Sequence, residues 1–204
     1  MFVKVCGITR LTDALHAVRQ GADALGFVFW PKSPRFITPE RAAEIIGELP
    51  PQVMTIGVFV NESVDGIRDV VARSGITAVQ LHGDEPPVYA DAIDSPLLRS
   101  MTVAEVDMCG AWPAGTIFLV DAHDPVRRGG TGARVDWSRA AQVARDWRVI
   151  LAGGLTPDNV AQAIATVQPY GVDVSTGVEE SPGVKSFDKV TRFVANARRA
   201  LSNG

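Results

Sequence analysis

The sequence predicts an α/β chain folded as a closed (β/α)8 (TIM) barrel, and three observations carry the prediction. Eight short apolar runs alternate with eight helix-like stretches from one end to the other. No linker or low-complexity segment divides them, so residues 1–204 read as a single domain. The rival fold, an open doubly wound sheet, usually shows an early Gly-x-Gly-x-x-Gly fingerprint, which is missing here. At 204 residues the chain has little room for anything beyond a barrel, since that fold starts at roughly 200.

The predicted strands are 2–6, 24–29, 54–60, 77–81, 97–102, 116–121, 148–152 and 170–174. The predicted helices are 12–20, 38–48, 63–74, 86–93, 103–110, 136–145, 157–166 and 186–201. In the first strand, Phe2, Val3 and Val5 alternate with Lys4; Gly7 breaks the run, and Thr12 with Asp13 opens a helix. The second strand, Ala24-Leu25-Gly26-Phe27-Val28-Phe29, leads into Trp30-Pro31-Lys32-Ser33-Pro34-Arg35-Phe36, too proline-rich for helix. Thr38-Pro39-Glu40 then places an N-cap threonine before a proline at the first helical position. The third strand ends Val58-Phe59-Val60-Asn61 and the fourth Gln80-Leu81-His82-Gly83. The stretch 103–110 is short and carries few core positions. The sixth strand ends Phe118-Leu119-Val120-Asp121, before a long loop, 122–134. Asp136-Trp137-Ser138 offers an N-cap aspartate, and Thr156-Pro157-Asp158 repeats the Thr-Pro design. The seventh strand ends Leu151-Ala152-Gly153-Gly154 and the eighth Asp173-Val174-Ser175-Thr176-Gly177.

Composition narrows the function. Hydrophobic residues make up 46% and the net charge is −3, a packed globule with no general affinity for nucleic acid or membrane surface. The two cysteines, Cys6 and Cys109, lie far apart; they form neither a disulfide framework nor a zinc spacing and fit a reducing cytoplasm. Met1-Phe2-Val3-Lys4 runs straight into a strand, with no signal peptide ahead of it, and no apolar stretch reaches transmembrane length.

In a (β/α)8 barrel, chemistry sits at the carboxyl ends of the strands. Strand one delivers Cys6 there, and strand six delivers Asp121 directly after the apolar run Ile117–Val120. Most free cysteines are inert core residues, and Cys109, with no cation or histidine near it in sequence, is read as one. Gly153-Gly154 and Ser175-Thr176-Gly177 follow the last two strands, where barrels of this kind bind phosphate through backbone N–H groups. Gly129-Gly130-Thr131-Gly132 reads as a lid or a third anion-facing stretch, or else as a turn. Lys32 and Arg35 are the two cations of the loop after strand two. His82 ends strand four beside the pocket, and Asp173 lies at the end of strand eight, either bonded at the barrel rim or touching a ligand.

Val5-Cys6-Gly7-Ile8-Thr9, Pro31-Lys32-Ser33-Pro34-Arg35, Gly57-Val58-Phe59-Val60-Asn61, Gln80-Leu81-His82-Gly83, Asp121 with Gly129-Gly130-Thr131-Gly132, Ala152-Gly153-Gly154-Leu155 and Asp173-Val174-Ser175-Thr176-Gly177-Val178-Glu179 occur in this order. Together they resemble phosphoribosylanthranilate isomerase, over nearly the whole chain. Two departures are slight: Val135 stands where the family commonly has an aromatic residue, and Ser186, a helix N-cap, where it often has aspartate.

The resemblance implies an Amadori rearrangement in tryptophan biosynthesis, with a phosphoribosyl substrate and no cofactor or metal. It implies Cys6 as general base and Asp121 as general acid. It further implies Arg35 on the anthranilate carboxylate; His82, Asp173, Gly130, Gly153, Gly154, Ser175, Thr176 and Gly177, by their positions, are the candidates for the rest of the substrate. Such roles call for a Cys6 that is partly thiolate, below its ordinary value of about 8.5, and for an Asp121 raised from about 3.9. Monomer and homodimer both remain open. The related histidine-pathway isomerase uses two carboxylates and needs a second phosphate site, which the early loops here lack. A barrel that only binds a phosphorylated metabolite has no need of the Cys6–Asp121 pair.

Overall fold

The computed structural model describes residues 1–121 and 136–200. Eight parallel strands close into a barrel in sequence order: β1 (Phe2–Cys6), β2 (Ala24–Val28), β3 (Met54–Phe59), β4 (Ala78–Leu81), β5 (Leu97–Met101), β6 (Ile117–Val120), β7 (Val149–Leu151) and β8 (Gly171–Val174). Closure runs through β1 and β8, with Phe2 opposite Gly171 and Lys4 opposite Asp173.

The helices are α1 (Leu11–Arg19), α2 (Pro39–Gly47), α3 (Val64–Ser74), α4 (Trp137–Asp146), α5 (Val160–Val167) and α6 (Phe187–Arg199). Thr38 Oγ1 accepts the Arg41 amide, and Asp136 Oδ1 accepts those of Ser138 and Arg139, as the capping signals required. Each cap contributes about 1 kcal/mol. The Thr156 signal works differently. α5 begins only at Val160, because Asn159 takes over the preceding turn, accepting the Thr156 amide at 2.8 Å and donating to the Gly154 carbonyl at 2.9 Å. Ser186 sits at the N-cap of α6 without a side-chain capping bond.

The helices predicted at 86–93 and 103–110 are not α-helices. Both segments form single 3₁₀ stretches, Pro87–Ala92 and Val106–Ala111. The first begins at Pro86-Pro87, which removes two N–H donors, and buries none of its residues; nothing drives a longer helix. After β8 comes a one-turn 3₁₀ segment, Thr176–Val178, and then an antiparallel hairpin, β9 (Glu179–Ser181) and β10 (Val184–Lys185).

Two cores follow from strand alternation. Val3, Val5, Phe27, Phe59, Phe118 and Val172 face outward against the helices. Ala24, Ile56, Ala78, Leu98, Leu119 and Ile150 plug the lower barrel interior. Above that plug the interior turns polar: Lys4, Gln80, Ser100 and Asp173 are all buried. The uppermost inward positions, Cys6, Val28 and Val58, pack with Trp30 beneath the open end. No helix among the described residues is long and apolar enough to cross a membrane.

Candidate active site

The strands therefore deliver their last inward side chains into one cavity at the carboxyl end of the barrel. It measures about 990 Å³ and is lined by Cys6, Arg35, His82, Asp121, Asp173, Ser175 and Thr176 among others. Lys32 lines its mouth, exposed to solvent. A second cavity of about 210 Å³ adjoins it, lined by Gly153, Gly154, Ser175, Thr176 and Gly177. Asp121, Asp173, Ser175 and Thr176 line both, so the two form a continuous groove. Gly130 lies outside the described residues, as does the rest of Gly129-Gly130-Thr131-Gly132.

Cys6 is 9% exposed. A Cβ at position 26 would meet Cys6 Sγ at 2.6 Å, so the neighbouring strand needs glycine to make room for the thiol. The thiol lies above its ordinary range, contrary to the expectation of a lowered one. Burial is the main cause; Lys4 and Lys185 pull the other way, and Asp173 adds to the rise.

Asp121 is half-buried at the end of β6, its amide bonded to the Met101 carbonyl at 3.0 Å. β1 and β6 are separated around the ring by β7 and β8, which places the two groups on different walls of the cavity.

Arg35 reaches across from the β2 loop, but its guanidinium is already engaged. Nε bonds Glu179 Oε1 at 2.9 Å, Nη2 bonds Glu179 Oε2 at 2.6 Å, and Nη2 also reaches Thr176 Oγ1 at 3.1 Å. Burial would raise the Glu179 carboxyl, yet the Arg35 fork and Lys185 more than offset it and hold it below the usual carboxylate range. Lys185 Nζ sits beneath, donating to Glu179 Oε1 and to the Cys6 carbonyl. Burial pulls this ammonium below the ordinary lysine value despite Glu179. The hairpin is thereby clamped over the ends of β1 and β8.

The tips after β7 and β8 converge. Gly153 and Gly154 both have positive φ (77° and 66°), which a side chain would strain. A Cβ at Gly177 would fall 1.9 Å from the Leu155 carbonyl oxygen, so the two loops pass as close as glycine allows. Ser175 Oγ is buried here without a hydrogen-bond partner among the described residues. An unmet buried hydroxyl costs about 1–3 kcal/mol, which a ligand oxygen can recover.

His82 is half-buried, with Nδ1 2.6 Å from Ser100 Oγ and 3.2 Å from Gln80 Nε2. Cys109 is buried against Met101 and its thiol is pushed up to about 11, chiefly by burial, as suits a packing residue. No group of three or more His, Cys, Asp or Glu among the described residues is placed to hold a metal ion.

Sequence reasoning passed over Lys4, Lys185 and the hairpin. Ser181-Pro182-Gly183 was the available signal for the hairpin, a turn between two short polar strands.

Comparison with known proteins shows the family. Residues 3–196 match the family described as N-(5'phosphoribosyl)anthranilate (PRA) isomerase. The chain belongs to that family. A relative from Geobacter sp. (strain M21), N-(5'-phosphoribosyl)anthranilate isomerase, is 50% identical over 199 residues, covering 97% of this chain and 98% of the relative. A solved phosphoribosyl anthranilate isomerase in complex with reduced 1-(o-carboxyphenylamino)-1-deoxyribulose 5-phosphate superposes with a TM-score of 0.85 at 40% identity. It covers 98% of this chain and 99% of its own. Monomers generated from the dimeric enzyme of Thermotoga maritima give 0.87 at 39% identity, with coverage of 98% and 99%. The chain is accordingly an enzyme, an aldose–ketose isomerase of tryptophan biosynthesis.

Proposed function

We propose that the groove converts N-(5'-phosphoribosyl)anthranilate into its 1-deoxyribulose 5-phosphate isomer with Cys6 as base and Asp121 as acid. The observation that carries this reading is the pair itself: a thiol and a carboxyl on different walls of one cavity that runs on into a glycine-lined pocket. Protonated Asp121 gives its proton to the furanose ring oxygen as the C1–O bond breaks. The anthranilate nitrogen supplies the electron pair for the C1=N Schiff base. The Cys6 thiolate then takes the C2 proton; the C–H electrons form C1=C2, and the C=N pair returns to nitrogen. Proton loss from the C2 hydroxyl and gain at C1 complete the ketone. No electrons enter or leave.

The 5-phosphate is assigned to the smaller pocket, whose lining includes Gly154, Ser175, Thr176 and Gly177, residues whose backbone N–H groups suit an anion. Backbone donors accept any tetrahedral dianion of that size. Sulfate at millimolar levels should therefore compete with substrate when ionic strength is held constant with chloride. Sulfate no more inhibitory than chloride would count against the cradle.

Arg35 offers its remaining amino group, Nη1, to the anthranilate carboxylate, while Glu179 fixes the plane of the fork. Arg35→Ala should raise KM about 10- to 100-fold, in line with roughly 1.5–3 kcal/mol for a charge-assisted bond. Its kcat should change far less, since the carboxylate is remote from C1 and C2. Glu179 keeps Lys185 as partner in this variant, so the hairpin stays tied. An unchanged KM in steady-state kinetics refutes the assignment. The cytoplasm, and a monomer or a homodimer like the Thermotoga maritima enzyme, complete the proposal. The test of the reading as a whole is turnover of freshly made substrate.

A further inference from the structure

Lys4 is a lysine in the middle of a barrel, and the reaction described above gives it nothing to do. Its side chain is 0% exposed. On β1 it shares the inward face with Phe2 and Cys6, while Val3 and Val5 point to the helices. Its register partner across the barrel seam is Asp173, and Nζ donates to Asp173 Oδ1 at 3.0 Å. Lys4 and Cys6 stand two residues apart on the same inward face, and each charge influences the other.

A buried ammonium is expensive unless anions surround it. Replacing such a pair with apolar residues is often neutral or stabilising, so stability alone is a weak reason for a lysine here. Its placement gives a better one. Lys4 precedes Cys6 on the same inward face of β1 and is bonded to the Asp173 carboxylate.

We propose that Lys4 is a positioning residue for the isomerisation: the buried counter-ion of the Cys6 thiolate, shared with Asp173. The proposal rests on the reading of Cys6 as base. When Cys6 gains the substrate proton, Lys4 reverts to Asp173; when the thiolate re-forms, Lys4 is shared again. No proton need leave the ammonium in either state. Burial pulls the ammonium down, but Asp173 and Cys6 outweigh it and Lys4 stays above the ordinary lysine value, charged throughout.

Other charges face Cys6 and fix the expected signs. Lys185 of β10 approaches from the hairpin and Arg35 from the β2 loop. Asp173 opposes them from β8, and Asp121 at β6 and His82 at β4 line the same cavity. Removing Lys4 subtracts a cation from this set; removing Asp173 subtracts an anion.

The test is peptide-resolved alkylation of Cys6 by iodoacetamide across pH, on the purified protein, beside the pH profile of kcat/KM. Lys4→Met should raise the alkylation midpoint by about one pH unit or more, a tenfold loss of thiolate at neutral pH. Asp173→Asn should lower it. Should Lys4→Met fail to fold with Asp173 left unpaired, the Lys4→Met/Asp173→Asn double variant holds no lone charge. Its midpoint should lie above that of Asp173→Asn alone. A general loosening of the barrel would move the two single variants in the same direction, and that outcome overturns the proposal. So do midpoints unchanged by Lys4→Met in both backgrounds. The ascending limb of kcat/KM should follow the midpoint. A limb that stays put while the midpoint moves upholds Lys4 as counter-ion and refutes Cys6 as base.

Discussion

Replacing Cys6 by serine should leave the barrel folded and lower turnover by about 10²–10⁴-fold, the usual contribution of general-base catalysis. The hydroxyl fits wherever the thiol does, including against Gly26, so folding is spared. Chemistry is not. A serine hydroxyl is far too weakly acidic to ionise, even with Lys4 and Lys185 close by. Because the base acts on a bound substrate, the loss should appear in kcat with KM little changed. Stopped or continuous assays at saturating substrate check this. A variant with more than about a third of wild-type turnover removes Cys6 from the mechanism.

Asp121→Asn should be comparably damaging, about 10²–10⁴-fold in kcat. The amide preserves the shape of the carboxyl but cannot give a proton to the ring oxygen, so the furanose stays closed. Binding should survive, because Asp121 lies where the two cavities meet, and in the proposed reading the phosphate and anthranilate ends are held elsewhere. Unchanged kcat with a raised KM would make Asp121 a binding residue instead of the acid.

The barrel was legible because a parallel sheet covered on both faces leaves near-continuous apolar runs separated by helical periodicity. Every strand end fell within a residue or two of its expected place. The segments after β4 and β5 misled because 86–93 and 103–110 have helical spacing but too little apolar surface to hold a helix. Cys6 and Asp121 were legible as strand-tip residues. Lys4 was not, because a lone polar residue in an alternating strand ordinarily marks a solvent face, whereas both faces of β1 are buried in a closed barrel. The tuning of Cys6 also escaped the sequence. Its rise comes from burial; of the opposing cations Lys4 is two residues away on the same strand, but Lys185 sits on a hairpin almost 180 residues away, a proximity that only the closed fold creates.

The most direct test of the account is a single fluorescence experiment. Freshly prepared N-(5'-phosphoribosyl)anthranilate is mixed with the wild-type protein and, in parallel, with Cys6→Ser and Asp121→Asn, and the decay of its anthranilate emission is followed. The account predicts rapid loss of emission with the wild type and loss slowed at least about 10²-fold with either variant. Equal rates in all three, or a wild type that binds the substrate without consuming it, would contradict it.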